Sequence, residues 1–265
     1  MTPIIDTHMH VFRADLPMAA SRRNTPTYDA TWEDYRALSE PFGITAAVIV
    51  QPSFLGTDNS FMLEHLERLG NAARGVAVID ADTPIDAIDE LHDAGVRGIR
   101  FNQLSHTNAT LPDIDAWQRL FDRMRPLGWH VELHASPDLL RPLLELLEPQ
   151  DLPIIVDHFG RPGPEHAADH PDYRHLVARG SNPNLFCKVS APYRLGGRNE
   201  QPYFDALVET FTLDRLLWAS DWPWTQNEGR HTYADCIAWR ERMLTNHPGA
   251  FERMNAAAIK LFDFA

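Results

Sequence analysis

The chain has 265 residues and carries 24 Lys+Arg against 37 Asp+Glu, a formal charge of −13. That field disfavours a non-specific grip on nucleic acid or anionic lipid, so any anionic ligand must be held by a local basic cluster. With 44% hydrophobic and 23% charged residues the composition is that of a globular protein, which excludes disordered and fibrous classes, and no apolar run approaches the ~20 residues of a membrane span.

In chain order, short apolar runs occur at Ile4-Ile5, Ala46 to Val50, Gly75 to Ile79, Val96 to Phe101, Trp129 to Leu133, Pro153 to Val156, Leu185 to Val189 and Leu216 to Ala219. Between most of them lie segments of helical apolar spacing, such as Phe61, Leu63, Leu66 and Leu69, or Trp117, Leu120, Phe121 and Met124. Strand followed by helix, repeated, is the pattern of a parallel sheet, and eight such units in ~250 residues fit a closed (β/α)8 TIM barrel with its active site at the C-terminal ends of the strands. A doubly wound open sheet is the alternative. No linker or composition shift divides the chain, so residues 1–265 read as a single domain. The connections from Val11 to about Thr31 and from Gly160 to Pro171 are long and polar, and in a barrel they would cover the site.

Polar residues collect where such a site would be. Strand one runs into His8 and His10, which two-residue alternation puts on one side. Strand two ends at Gln51, strand four at Arg100 and Asn102, strand five at His134, strand six at His158, strand seven at Lys188 and Ser190, and strand eight at Asp221. Ile99, Phe101, Val131, Leu133, Ile155 and Trp218 would face the helices. One strand-end histidine is ordinarily a structural residue, and Asp221 alone could cap the turn at Pro223. Together, histidines from strands one, five and six with an aspartate from strand eight form an N/O donor set suited to Zn²⁺ or a similar divalent ion. His170 and His175, beside Asp169 and Asp172, read as polar loop.

A small anion is best held by arginine, whose planar fork matches a carboxylate. Arg100 by parity and Arg194 after strand seven are the expected clamps, with Gln51, Asn102, Ser190 and Tyr193 completing the hydrogen bonds, while Arg97 has the opposite parity and reads as structural. Lys188, one of two lysines, is either an additional cation or the partner of a buried acid such as Asp6. Gly56 to Asn59 would cap the next helix or touch substrate. Two cysteines, Cys187 and Cys236, are too few for a disulfide framework, and with no signal-like apolar stretch after Met1 the expected setting is the cytoplasm. Walker, GxGxxG, CxxC and GxSxG signatures are lacking, which disfavours nucleotide cofactors and a serine-hydrolase mechanism.

The phrases IDTHMHVF, VIVQPSFLGTDNS, AGVRGIRFN, IIVDHFGRP, FCKVSAPYR and RLLWASDWPW, in this order along nearly the whole chain, resemble the amidohydrolase superfamily, in the branch that includes 2-pyrone-4,6-dicarboxylate lactonase and other sugar or muconate lactonases. The resemblance implies His8, His10, His134 and Asp221 as ligands of one divalent ion, zinc first. It implies His158 as a catalytic contact to substrate or metal, and Asp221 as the base that activates water. Some lactonases of this branch work without a metal, and they tend to carry another residue where His134 stands, which favours a metal here. The expected activity is opening of a small carboxylated lactone in the catabolism of aromatic or sugar acids. The alternatives are a metal-dependent decarboxylase or C–C hydrolase acting on a similar acid, and a non-catalytic binding barrel. The expected partner is a small anionic substrate, with a homo-oligomer admitted and neither nucleic acid nor membrane involved.

Overall fold

The structure is a computed structural model and describes residues 2–104, 111–163 and 165–264. Its strands are β1 (Ile5–Met9), β2 (Ala46–Val50), β3 (Ala73–Ala77), β4 (Val96–Asn102), β5 (His130–His134), β6 (Ile154–Val156), β7 (Leu185–Ser190) and β8 (Leu216–Ala219). Each pairs in parallel with the next, in chain order from β1 to β8. The ring closes where the Asp221 amide donates to the His8 carbonyl (3.0 Å) and the His10 amide to the Trp222 carbonyl (2.9 Å). Chain-order pairing with closure makes this a (β/α)8 barrel and rules out the doubly wound sheet. The third strand begins two residues earlier than its apolar run, because Ala73 and the buried Arg74 extend the ladder below Gly75.

The outer layer comprises α1 (Trp32–Ser39), α2 (Ser60–Leu69), α3 (Ile85–Asp93), α4 (Ile114–Met124), α5 (Pro137–Leu147), α6 (Pro171–Ala178), α7 (Gln201–Val208), α8 (Tyr233–Leu244) and α9 (Ala250–Leu261). Local chemistry starts several of them. Thr31 with Asp34 and Thr232 with Asp235 form reciprocal capping boxes on α1 and α8, and prolines open α5 and α6 where a missing N–H costs nothing.

The strands are largely buried on both faces, as parallel strands flanked by helices are, and most of their residues are apolar. Ala47 and Ile49 of β2 join the larger core beneath the helices, while Val48 and Val50 fill the barrel interior with Ile5, Val76, Ile155 and Leu217. Ile155 therefore points inward, against the sequence expectation. Phe262 and Phe264, just after α9, pack into the same interior cluster, and Arg74 donates to the Asp263 carbonyl (2.7 Å) from a position over the Phe264 ring. The C-terminal segment thus closes the end opposite the site. Asp6 points outward and accepts from the Tyr35 and Tyr233 hydroxyls (3.2 and 2.9 Å) and the Ser220 amide (2.9 Å), joining β1 and β8 to α1 and α8.

Candidate active site

Alternation along β1 alone would not turn both Ile5 and His8 inward. A register shift between Asp6 and Met9 resolves this: as bulges do, it re-aims the strand end and brings His8 and His10 into the barrel mouth. On β4, β5 and β7, ordinary alternation delivers Arg100, Glu132, Lys188 and Ser190. The sixth and eighth positions use backbone strain instead. β6 stops at Val156, Asp157 continues the inward parity, and His158 and Phe159 take positive φ (50° and 58°), which swings His158 in beside it. Asp221 also lies at positive φ (58°), two residues past β8.

The polar groups form two layers. The lower is buried, with Arg100 alone of its four charges reaching the cavity wall: Lys188 is ion-paired with Glu132 and lies 3.5 Å from Asp157 Oδ1, and Arg100 donates through Nε and a terminal nitrogen to Asp157 Oδ2 (3.0 and 2.7 Å). Two buried cations meet two buried carboxylates, so the charges offset one another. Burial and the neighbouring Asp157 raise the Glu132 carboxyl to about 7. Burial also acts to raise Asp157, but Arg100 and Lys188 outweigh it and hold that carboxyl well below the usual range. Lys188 thus pairs with Glu132 and Asp157, not with Asp6.

The upper layer lines a small cavity open to solvent, with His10, His134, His158, Arg161, Arg194 and Asp221 in its wall. Asp221 Oδ2 accepts from the Tyr193 hydroxyl (2.5 Å) and from Arg194 Nε and a terminal nitrogen (3.0 and 2.8 Å). Its other oxygen faces Nε2 of His8, His10 and His158 at 3.7, 3.8 and 3.7 Å. Burial acts to raise the Asp221 carboxyl, yet Arg194 and the imidazoles of His158, His8 and His10 hold it well below its ordinary value, so it is ionised. Burial pushes His10 down to about 4 and His158 to about 3, so at neutral pH these rings are uncharged.

This cluster fits a divalent ion in donor chemistry: His8, His158 and Asp221 each place one ligand atom within 4.8 Å of the others. The strand-five histidine expected in that set stands apart. His134 Nε2 accepts from an Arg161 terminal nitrogen (3.1 Å), so its lone pair is spent on the guanidinium, and the positive-φ turn after β6 puts His158 where His134 was expected. His8, Glu132 and Asp157 are also mutually close, but Lys188 already inserts its ammonium among them. His166, His170 and Asp172 cluster on the rim with the two rings stacked at 3.9 Å and 18°, so their in-plane lone pairs run side by side instead of converging.

Other expected residues divide by position. Ser190 bonds His158 Nδ1 (2.9 Å), and Tyr193 bonds Asp221. Asn102 lines the cavity with its Oδ1 buried and unpartnered among the described residues. Gln51 lies outside this wall. It continues the helix-facing parity of Ala47 and Ile49, and its Nε2 donates to the carbonyls of Asp58 (2.7 Å) and Gly56 (3.3 Å). Asn59 leaves α2 uncapped by its side chain and ties the loop to Val78, donating to its carbonyl (2.8 Å) and accepting from its amide (3.1 Å). Arg97 bonds Asp263 and the His92 carbonyl on the surface, as its parity implied.

Both expected clamps are already committed, Arg100 to Asp157 and Arg194 to Asp221. The cations left over were not anticipated. Arg161, largely buried, has a histidine for a partner and, among the described residues, no carboxylate; burial and the neighbouring Arg194 and Arg23 lower its guanidinium to about 10. Arg23, from the long connection after β1, is exposed at the same cavity's mouth. The sequence signal was there in RP after DHFG, but its direction depends on a left-handed turn that spacing does not reveal.

Comparison with known proteins agrees with this site. The chain is 32% identical over 225 residues to a 4-sulfomuconolactone hydrolase of Rhizobium radiobacter, covering 82% of this chain and 75% of the relative. It is 32% identical over 235 residues to a 2-pyrone-4,6-dicarboxylate hydrolase of Comamonas testosteroni, covering 83% and 76%. A solved Acinetobacter baumannii structure, named for 2-pyrone-4,6-dicarboxylic acid hydrolysis and holding citric acid, superposes with a TM-score of 0.90 at 31% identity, covering 99% of this chain and 100% of that one. Residues 5–253 match the amidohydrolase family, and with a barrel that gathers histidines and an aspartate at its strand ends, the chain is an enzyme of that family.

Proposed function

We propose that this enzyme hydrolyses a small lactone bearing carboxylate or sulfonate groups. The observation that carries the reading is the division of labour in one cavity: an ionised carboxylate held on one oxygen, neutral imidazoles facing its other oxygen, and two arginines without carboxylate partners among the described residues. The relatives' named substrates, a 2-pyrone dicarboxylate and a sulfonated muconolactone, are anions of this kind, and the Acinetobacter structure holds a tricarboxylic acid.

Arg161 and Arg23 attract the anionic group, and Asn102 Oδ1 accepts from a substrate hydroxyl or from water. The imidazoles orient the ring carbonyl toward Asp221. Water held by Asp221 Oδ1 attacks the carbonyl carbon, and its proton passes to the carboxylate. The ring C–O bond then breaks, and Asp221 returns the proton to the leaving oxygen, giving a carboxylic acid and an alcohol or enol. Tyr193 and Arg194 hold Asp221 Oδ2 throughout, so that the free oxygen is the basic one. A divalent ion, zinc for this N/O set, would be held by His158 and Asp221 together with a histidine of β1, where it would supply carbonyl polarisation and a bound water of pKa near ~7. The setting we infer is cytoplasmic catabolism of aromatic acids, which the free, buried thiols of Cys187 and Cys236 support.

The test is a lactone panel with and without charged substituents, assayed with the parent and with D221N. Ring opening confined to anionic lactones and reduced at least ~10³-fold in D221N is expected. Release of CO₂ from an aromatic acid, with no lactone opened, would overturn the reading.

A further inference from the structure

His8 is fully buried below the cavity wall, and its two ring nitrogens face different worlds. On the inner side, Lys188 Nζ lies 2.9 Å from His8 Nδ1, with the same ammonium paired to Glu132 and near Asp157 Oδ1. An ammonium has three N–H donors and no acceptor. His8 Nδ1 must therefore accept, which leaves the ring proton on Nε2. On the outer side, His8 Nε2 lies 3.3 Å from His10 Nε2. His10 Nδ1 lies 2.7 Å from the Val50 carbonyl, which can only accept, so His10 carries its proton on Nδ1 and its Nε2 is bare. An N–H of His8 thus meets a lone pair of His10. The direction of every link is determined: Lys188 donates to His8, His8 to His10, and His10 to Val50.

We propose that Lys188 is a positioning residue that fixes His8 as the Nε2–H tautomer, making His8 a hydrogen-bond donor at the cavity floor and withholding its lone pair from any cation. The chain has a built-in alternative. Glu132 Oε1 and Asp157 Oδ1 lie 3.4 and 3.3 Å from His8 Nδ1, and neither oxygen has a hydrogen-bond partner among the described residues. Without the ammonium, His8 Nδ1–H turns to these acceptors and Nε2 becomes bare. Two lone pairs then face each other at the His8–His10 contact, an arrangement that repels unless a cation lies between them. Lys188 therefore decides whether strand one offers a cation one imidazole or two. This deepens the reading of the site as hydrolytic, but it concerns the position of a proton and is measured without turnover.

The experiment is long-range ¹H–¹⁵N correlation of ¹⁵N-histidine protein, free of divalent ions and of a histidine tag, with the His8 ring signals assigned by their loss in H8N. The parent is expected to show His8 as a neutral Nε2–H ring and His10 as a neutral Nδ1–H ring. A parent His8 with its proton on Nδ1 overturns the proposal, whatever the activity assays give. In K188M the His8 signature moves to Nδ1–H, and zinc binding measured by calorimetry tightens at least tenfold. In K188R, which restores an N–H donor, the Nε2–H signature returns. A K188M His8 that keeps the parent tautomer removes Lys188 from the role. Should K188M fail to fold, the parent spectrum and K188R still decide.

Discussion

Arg161 and Arg194 share a cavity and differ in what already neutralises them, so their removal should register in different kinetic constants. Arg161 is answered by an imidazole and by no carboxylate among the described residues, and truncation to R161M removes a charge-assisted contact to the incoming anion worth about 1.5–3 kcal/mol. KM for an anionic lactone is expected to rise about 10- to 100-fold with kcat changed far less, and initial-rate kinetics at fixed ionic strength would show it. Arg194 grips Asp221 Oδ2 with two nitrogens, so R194M is expected to lower kcat, because the carboxylate loses both its orientation and the charge that keeps it ionised. If the two variants have the same kinetic profile, the separation of anion binding from base positioning is wrong. Both residues are arginines in polar, turn-rich sequence, and parity could not rank them. Partner chemistry could, because an arginine already answered by a carboxylate offers less to a ligand than one that is not.

At the level of elements, the strands were readable because a parallel strand buried on both faces must be an apolar run. Where a polar residue interrupts the run, as at Arg74, the boundary moved. The places where site residues departed from expectation are the places where the backbone leaves alternation: the register shift in β1, and the positive-φ turns at His158 and Asp221. Asp157 was hidden for the same reason, since reading His158 as part of strand six assigns Asp157 to the wrong face. Close approach between elements sets another limit. A Cβ placed on Gly98 of β4 would lie 2.5 Å from the His130 ring of β5, itself packed edge-on against Phe262 at 5.1 Å. G98A has no slack to use and is expected to destabilise the barrel by about 1–3 kcal/mol, as overpacking does. Denaturant unfolding measures this, and an unchanged midpoint would mean that the inner packing yields.

The whole molecule closes one end of its barrel with apolar side chains and the other with charge, which makes stability depend on pH. His130 sits inside the barrel with both ring nitrogens unpartnered among the described residues, and burial together with Lys188 pushes it down to about 3. Unfolded, the same ring titrates near its ordinary ~6.5. Between those values the unfolded chain binds the extra proton, so stability is fully present above about pH 6.5 and falls as the pH is lowered toward 3, by about 1.4 kcal/mol per pH unit for this group. Thermal unfolding of the parent should show Tm dropping from pH 7 to pH 5. A smaller drop is expected in H130Q, and equal slopes would remove His130 from the account. The fold class was legible from the repeat of apolar run and amphipathic segment, and so were His8, His10 and Asp221 from their spacing near strand ends. The buried network of Glu132, Asp157, Arg100 and Lys188 was not, because ion pairs across a barrel join residues that only closure brings together.

The central claim is that Asp221 directs water onto a ring carbonyl, and isotope position tests it most directly. Turnover of an anionic lactone in H₂¹⁸O under single-turnover conditions, read by mass spectrometry of the product, is expected to place one ¹⁸O in the newly formed carboxyl group and none in the released hydroxyl or enol. Label in the hydroxyl, or loss of the carbonyl carbon as CO₂, would contradict it.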